Sequence, residues 1–188
     1  NIVRLLFEHG LDPNQEIAMG DSIYRPALCL AIGNGKIGIV KAFLEAGANP
    51  LINNKSPVRD AMKSSNLEII KLFYKHLEGI NKRLPMVSDC YSHTDEATPL
   101  IIAAEGHSGI EVIKFFLKQG ADINAKSLYG FTPLLACIKG LEHRPYSEEN
   151  KEKLAFLIQN GANILVSVKT EHICSGEEAS ESASECKR

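Results

Sequence analysis

Several features that define other classes of protein are scarce or missing in this chain. It contains no tryptophan, and aromatic residues make up only 6% of its 188 residues. No stretch approaches the ~20 consecutive apolar residues that a membrane-spanning helix needs, so we expect no transmembrane segment. The 21 basic and 23 acidic residues nearly balance, with a formal net charge of −2. Such a balance predicts no general attraction to nucleic acid or to an acidic membrane.

The cysteines argue against two further kinds of site. All five are widely spread, and none forms a Cys-x-x-Cys motif. An odd, unpaired set is typical of a reducing compartment, so we expect a cytoplasmic protein. Cys90 and His93 have the spacing of two metal ligands, but two ligands do not complete a tetrahedral zinc site. We therefore predict no metal, no cofactor and no catalytic residue, and we expect that the chain is not an enzyme.

What the chain does contain is one short pattern that returns along its length. A proline or its neighbour opens a small apolar helix, and a second apolar helix follows that usually ends at Gly-Ala-Asp or Gly-Ala-Asn. The copies cover residues 25–49, 56–77, 98–124 and 132–164, with a partial copy at 1–14. Repetition at this period indicates stacked modules with a long ridged surface, rather than a globule around one catalytic cleft.

Each part of the pattern has a physical reason. A proline in the first helical turn loses only an amide hydrogen without a helical partner, and Thr98 or Thr132 before it can cap the helix. Gly47, Gly120 and Gly161 follow the second helices, where a left-handed backbone favours glycine. Apolar residues at helical spacing are expected to fill the seams between modules. These seam residues are Ile39, Val40, Phe43, Leu44, Ile69, Ile70, Phe73, Tyr74, Val112, Ile113, Phe116, Leu117, Leu154, Phe156, Leu157 and Ile158.

The pattern resembles the ankyrin repeat, whose unit is a β-turn followed by two antiparallel helices. Two of its copies open with Thr98-Pro99-Leu100 and Thr132-Pro133-Leu134, and the step between them is 34 residues. The period of the family is about 33 residues. The resemblance covers residues 1–165 and implies an all-α solenoid of stacked helix-turn-helix modules with β-turn fingers.

One departure from the family pattern concerns the residue after Thr-Pro-Leu. The family usually has a histidine there, which bonds the tip of the preceding turn. The corresponding residues here are Cys29, Arg59, Ile101 and Leu135. The resemblance therefore implies turns that are held less by side-chain hydrogen bonds and more by packing.

The resemblance also implies partner binding through two surfaces, the turn tips and the exposed face of the first helices. The matching residues are Tyr24, Arg25, Asn54, Lys55, Leu128, Tyr129 and Phe131 on the tips, and Asn34, Lys63, Glu105 and Lys139 on the first helices. Leu128, Tyr129 and Phe131 are the leading candidates, because exposed apolar and aromatic groups usually anchor interfaces. The alternative is that Phe131 folds back against the neighbouring tip. Arg25, Lys63 and Lys139 favour an acidic peptide segment as the ligand.

The repeat is interrupted at two places and fades at the end. Residues 78–97 are expected to lengthen the finger between the second and third modules. Residues 141–152 are expected to stretch the link between the last two helices. Within them, Arg144-Pro145 and Ser147-Glu148-Glu149 are expected to form a solvated loop, with Ser147 as a cap of the second helix. Such insertions either contribute to binding faces or drift neutrally. Residues 166–188 are expected to form a degenerate capping module or an acidic, serine-rich tail.

These observations together predict a protein-protein interaction scaffold or adaptor, monomeric by itself, that binds neither nucleic acid nor membrane. The alternative is a targeting or regulatory arm of a larger enzyme, such as a secreted bacterial effector that acts in the host cytosol. The chain has no initiator methionine and begins on a second helix, so we expect the first helix of that module upstream in a parent protein. A structural spacer without a partner is a further alternative.

Overall fold

The structure, a computed structural model, describes residues 2–18, 24–52, 57–77, 79–87, 94–106, 108–143 and 148–165. The helices are α1 (Ile2–Glu8), α2 (Ala27–Gly33), α3 (Ile37–Glu45), α4 (Pro57–Lys63), α5 (Leu67–Tyr74), α6 (Pro99–Glu105), α7 (Ile110–Lys118), α8 (Pro133–His143) and α9 (Glu148–Gln159). The strands are β1 (Glu16–Ala18), β2 (Tyr24–Pro26), β3 (Leu84–Val87) and β4 (Thr94–Ala97). Four features considered above lie outside the described residues: Asn54 with Lys55, Cys90 with His93, Ser147, and residues 166–188.

The described helices stack in two rows. The inner row consists of the first helices of the modules, and α2, α4, α6 and α8 pack one against the next in that order. The outer row consists of the second helices, and α1, α3, α5, α7 and α9 pack in the same way. Each inner helix also packs on the outer helix that follows it in the chain. This arrangement confirms the predicted all-α solenoid, because each module contacts its sequence neighbours.

The seam between the rows is apolar, as the helical spacing predicted. Phe43, Phe73, Phe116 and Leu157 occupy equivalent places in the outer helices, and none is more than 8% exposed. Ile158 was expected in the same seam, but this prediction is wrong, because its side chain is 42% exposed. It follows Leu157 in the helix, and one residue step of about 100° turns its side chain away from the core.

The predicted turn chemistry holds at the glycines and at one of the two threonines. Gly47, Gly120 and Gly161 have φ angles of 87°, 89° and 92°, so each adopts the left-handed conformation expected after an outer helix. The Thr132 hydroxyl accepts a hydrogen bond from the Leu135 amide over 3.3 Å and caps α8. The same prediction is wrong for Thr98, which precedes α6 without a side-chain capping bond.

Two of the fingers are β-hairpins rather than simple turns. β1 pairs with β2, and β3 pairs with β4, both antiparallel. The second hairpin arises from the insertion at 78–97 and runs in register from Leu84 opposite Ala97 to Val87 opposite Thr94. The inserted residues therefore lengthen this finger, as predicted, and the strand pairing satisfies their backbone groups.

The solvated loop predicted within the second insertion, residues 141–152, is wrong at Glu148 and Glu149, which are helical, whereas residues 144–147 lie outside the described part of the chain. The described residues of the insertion continue α8 to His143 and begin α9 at Glu148, so the helices reach 11 and 12 residues. Glu148 and Glu149 lie in the first turn of α9, where acidic side chains interact favourably with the helix dipole. Glu148 also pairs with Lys151 over 2.7 Å. Helix-forming residues thus extend the helices where a solvated loop was expected.

Asparagine side chains join consecutive modules where the outer helices end. In each case the amide oxygen accepts a backbone N–H from the next module. The contacts are Asn14 with Asn49 at 2.7 Å, Asn81 with Asp122 at 2.8 Å, and Asn124 with Asn163 at 2.7 Å. These side-chain bonds lie where the outer helices end, whereas the prediction concerned the tips of the turns.

Candidate protein-binding surface

Three charged side chains form a row across equivalent positions of the inner helices. Lys63, Glu105 and Lys139 are the seventh residues of α4, α6 and α8, so stacking of the modules brings them side by side. The Glu105 carboxylate lies 3.5 Å from the Lys63 ammonium and 3.0 Å from the Lys139 ammonium. We name this set the charged row. The structure thus brings together three residues that the resemblance assigned to partner binding.

The electrostatics of the charged row are set by Glu105. Its side chain is only 18% exposed, and burial by itself would raise the pKa of its carboxyl group. The neighbouring Lys63 and Lys139 outweigh this effect, and the pKa of Glu105 lies below its usual value of 4.5. Glu105 is therefore ionised at neutral pH and shared between two ammonium groups.

A second ion pair lies beside the first inner helix. Arg25, in β2, and Asp60, in α4, form a contact of 2.9 Å that links the first finger to the second module. The Cys29 thiol hydrogen-bonds the same carboxylate, and its pKa is raised to about 12 by burial and by the negative charge of Asp60. Cys29 is consequently a protonated thiol within the core and has little nucleophilic character.

The three cations that were predicted to favour an acidic ligand therefore all have acidic neighbours. Asp60 balances Arg25, and Glu105 is shared by Lys63 and Lys139. The positive charge on this face is smaller than the sequence indicated, and what remains lies on the two lysines.

A cleft opens on the same face between the first two modules. Its volume is about 790 Å³, and its lining includes Ile32, Gly33, Asp60, Lys63 and Leu67. Gly33 is the seventh residue of α2 and therefore corresponds to Lys63, Glu105 and Lys139 in the other modules. The other modules carry a long side chain at this position, whereas Gly33 has none, so the space above α2 stays open.

The finger before α8 presents the apolar tip that the resemblance favoured. Leu128 is 49% exposed, whereas Tyr129 and Phe131 are partly buried. The Ser127 hydroxyl accepts a hydrogen bond from the Phe131 amide over 3.1 Å and closes the turn. The Leu128 amide donates to the Glu96 carbonyl oxygen over 2.9 Å and ties the finger to the neighbouring hairpin.

This finger also contacts the charged row. The Lys139 ammonium lies 5.5 Å from the centre of the Phe131 ring, within the range of a cation–π interaction. The Phe131 ring therefore lies beneath the Lys139 ammonium of the charged row, while Leu128 remains the most exposed residue of the tip. The finger before α8 and the charged row therefore form one continuous surface.

The other predicted binding residues are distributed differently. The Asn34 side chain donates to the Leu30 carbonyl oxygen over 2.8 Å and so serves the end of α2. The Tyr24 backbone pairs with Ala18 in the first hairpin, and the structure does not describe its side chain. The residues that sequence reasoning missed are Asp60 and Ser127. Each is a polar residue that stands at its place in one module only, so a comparison of the repeats does not point to it.

No described helix is long and apolar enough to cross a membrane. Within the described part of the chain, no group of three or more His, Cys, Asp and Glu side chains is placed to hold a metal ion.

The paired helices, the fingers between them and the shared surface define a solenoid repeat protein of the helix-turn-helix type. A profile of the ankyrin repeat matches residues 95–128, which run from the second hairpin through α6 and α7 to the finger before α8. The chain belongs to the ankyrin repeat family.

A curated relative extends the similarity beyond that one repeat. "Ankyrin repeat and KH domain-containing protein mask-1" of Caenorhabditis elegans is 31% identical over 159 residues. The alignment covers 72% of this chain and 6% of the relative, so the chain matches a small part of a much longer protein. Ankyrin repeats are in general protein-protein interaction modules, and proteins built from them are typically non-enzymatic scaffolds.

Proposed function

We propose that this chain is a scaffold or adaptor that recognises a partner protein through the finger before α8 and the charged row. The observation that carries the proposal is the continuity of the two surfaces through the Lys139–Phe131 contact. Leu128 and Tyr129 would supply apolar contact area, and the row would supply charge. Apolar anchors beside polar groups are the usual composition of a protein interface.

The test is capture of a partner by a photoreactive residue placed at Leu128, followed by measurement of its affinity for the variant Tyr129→Ala/Phe131→Ala. We expect a loss of about 2 kcal/mol or more in binding free energy, which is typical of aromatic anchors. Ile37→Ala is the matched control, because Ile37 is 39% exposed on the outer helix α3. Equal affinity of the double variant and the wild type would exclude this finger as the interface.

We further propose that the partner contributes an acidic peptide segment. The support is the composition of the charged row, in which two ammonium groups share one carboxylate. Electrostatic attraction of this kind weakens as the salt concentration rises. Lys139→Gln should reduce the salt dependence of partner binding, whereas Lys41→Gln, on the outer helix α3, should not. An unchanged salt dependence in Lys139→Gln would contradict an acidic partner.

We also propose that the isolated chain is a monomer of the cytosol. Cys29 and Cys137 are buried free thiols, which suit a reducing compartment. Light scattering after gel filtration should give the mass of one chain, 20.6 kDa. A mass near twice that value would contradict the monomer, and intermolecular disulfides in the protein isolated from cells would contradict the compartment.

A second candidate function is that of a targeting arm in a larger protein, including a secreted bacterial effector enzyme. The observation that favours it is that the relative is far longer than this chain. The full reading frame distinguishes the two candidates, because an adjoining catalytic domain would assign substrate selection to the repeats.

A further inference from the structure

The cleft between the first two modules differs from the other inter-module contacts on the same face. At the seventh position of the inner helices the other modules carry Lys63, Glu105 and Lys139, whereas the first module carries Gly33. A Cβ atom built on Gly33 would have no neighbouring atom within 4 Å, so the space above it is open. The cleft is thus a gap in a row of side chains.

The lining of the cleft is apolar at its base and charged at its rim. Ile32 and Cys29 form the base and are themselves well packed, at 2% and 4% exposure. Leu67, at the start of α5, adds a partly buried apolar wall. A space of about 790 Å³ with this lining fits an apolar side chain together with the backbone on either side of it.

The charges at the rim are not equally satisfied. Arg25 and Asp60 form a close pair at 2.9 Å, and Glu68 is paired with Lys71 at 2.8 Å. Lys63 is 3.5 Å from Glu105, whereas Lys139 lies closer to the same carboxylate at 3.0 Å. Lys63 is therefore the rim charge with the weakest counter-charge, and its side chain remains 33% exposed.

From this geometry we propose that the cleft binds an apolar side chain of the partner's peptide, with a neighbouring aspartate or glutamate of that peptide paired to Lys63. The inference rests on the proposed function and names the chemistry of one contact within it. The apolar side chain would fill the gap at Gly33 above Ile32, and the carboxylate would complete the pairing of Lys63. A peptide is favoured over a compact ligand because the cleft is open along the inner-helix face, which continues into the charged row.

The experiment selects a phage-displayed library of random twelve-residue peptides against residues 1–188. We expect the enriched sequences to place Leu, Ile or Met within two residues of Asp or Glu. Their affinity is then measured for wild type, Gly33→Leu and Gly38→Leu. Both glycines are helical, outside the positive-φ region and open above the Cα atom, so both variants should fold.

Gly33→Leu fills the cleft and should weaken the selected peptides about tenfold or more, because their apolar side chain can no longer be buried there. Gly38→Leu lies on an outer helix and should leave the affinity within about twofold. Lys63→Gln should remove the preference for Asp or Glu over Asn or Gln. Circular dichroism and thermal unfolding of each variant check that the fold is kept.

Selection of no peptide, or of peptides that bind Gly33→Leu as tightly as wild type, would overturn the inference. Peptides that lose affinity for Tyr129→Ala/Phe131→Ala but not for Gly33→Leu would also overturn it. That last outcome would leave the proposed function standing, with the finger rather than the cleft as the contact. The two proposals therefore fail separately.

Discussion

The Lys153 ammonium group donates a hydrogen bond to the Gly106 carbonyl oxygen over 2.9 Å. It also donates to the Ala104 carbonyl oxygen over 3.2 Å, at the end of α6. Carbonyl groups in the last turn of a helix have no partner within the helix and need an external donor. Lys153 is fully buried and corresponds to the apolar Val112 of the preceding module. Lys153 of the fourth module thus caps the end of α6 in the third module with a buried cation.

Lys153→Met should lower the free energy of unfolding by about 1–3 kcal/mol, because it leaves buried carbonyl groups without their charged donor. Methionine has nearly the same length, so packing is largely preserved. Urea denaturation monitored by circular dichroism measures the change. Lys151→Met, at an exposed site of the same helix, is the control and should stay within about 0.5 kcal/mol of wild type. A Lys153→Met protein as stable as the wild type would show that burial of the charge costs as much as its bonds contribute.

Gly106→Ala should be destabilising by about 1–3 kcal/mol, since overpacking forces neighbouring atoms to shift. The added Cβ would lie 2.9 Å from the Lys63 Cα, and backbone cannot yield as a flexible side chain does. Gly38→Ala is the matched control, because its Cβ meets nothing within 4 Å. It should raise stability by about 0.5–1 kcal/mol through helix propensity. Thermal unfolding of both variants should therefore shift in opposite directions, and shifts in the same direction would contradict the packing argument.

The two threonines before the inner helices α6 and α8 should respond differently to the same substitution. Thr132→Val removes the capping bond to the Leu135 amide and should cost about 1 kcal/mol. Thr98→Val should be neutral or slightly stabilising, because among the described residues no hydrogen-bond partner exists for its buried hydroxyl. Chemical denaturation of the two variants measures the contrast. Equal losses would mean that the capping geometry does not determine the stability of these helices.

Glu105→Gln should lower the free energy of unfolding at neutral pH, because it removes the negative charge shared by Lys63 and Lys139. The loss should be only about 1 kcal/mol, because both lysines keep contact with water and can relax. The folded pKa of Glu105 is lowered, so its stabilising contribution is complete above the unfolded value of 4.5 and is lost as the pH falls through the folded pKa. Wild type should therefore lose stability below pH 4.5 more steeply than the variant does. Unfolding curves from pH 7 to pH 3 test this.

Glu111→Gln is the control for that series, because Glu111 is 69% exposed and pairs with its helix neighbour Lys114. Its pH dependence should match that of wild type within about 0.5 kcal/mol. Parallel curves for wild type and Glu105→Gln would contradict the coupling of Glu105 to the two lysines.

Cys29 and Cys137 should resist alkylation in the folded protein. Burial, together with Asp60, raises the pKa of Cys29 to about 12, and burial raises that of Cys137 to about 11. Because the thiolate is the reactive form, roughly 1 in 1,000 molecules or fewer would be reactive at pH 8. In the variant Cys90→Ser/Cys174→Ser/Cys186→Ser, iodoacetamide should modify these thiols slowly until denaturant is added. Mass spectrometry measures the rate of labelling. If the native protein is labelled as fast as glutathione, the prediction is contradicted.

The repeated parts of the fold could be predicted from the sequence, and the single exceptions could not. Phe43, Phe73 and Phe116 recur at one place in the first three complete modules, and this recurrence indicated their burial. Lys153 stands once at an apolar position, and a lysine in the amphipathic pattern is read as solvent-facing. Its hydrogen bonds go to carbonyl groups at the end of α6, and these belong to another module. Glu148 and Glu149 were expected in a loop for a related reason, because polar residues are common both in loops and on exposed helices.

The candidate binding surface could likewise be predicted only in part from the sequence. The resemblance indicated Lys63, Glu105 and Lys139 as members of one face. It did not indicate that they would pair with one another, because a solenoid places residues 34 or 42 positions apart in contact only when the modules stack in register. Nor did it indicate that the Phe131 ring would lie under Lys139. The sequence therefore indicated a stronger preference of this face for an acidic ligand than the structure supports.

The sequence by itself determined the module, with its two short helices, the glycine that ends it and the apolar stripe that needs a neighbour, because these depend on local backbone preference and helical spacing. The tertiary structure decided which charges neutralise each other, which lysine enters the core and where a missing side chain leaves a cleft. Those outcomes depend on distances between modules, and such distances exist only after the stack has formed.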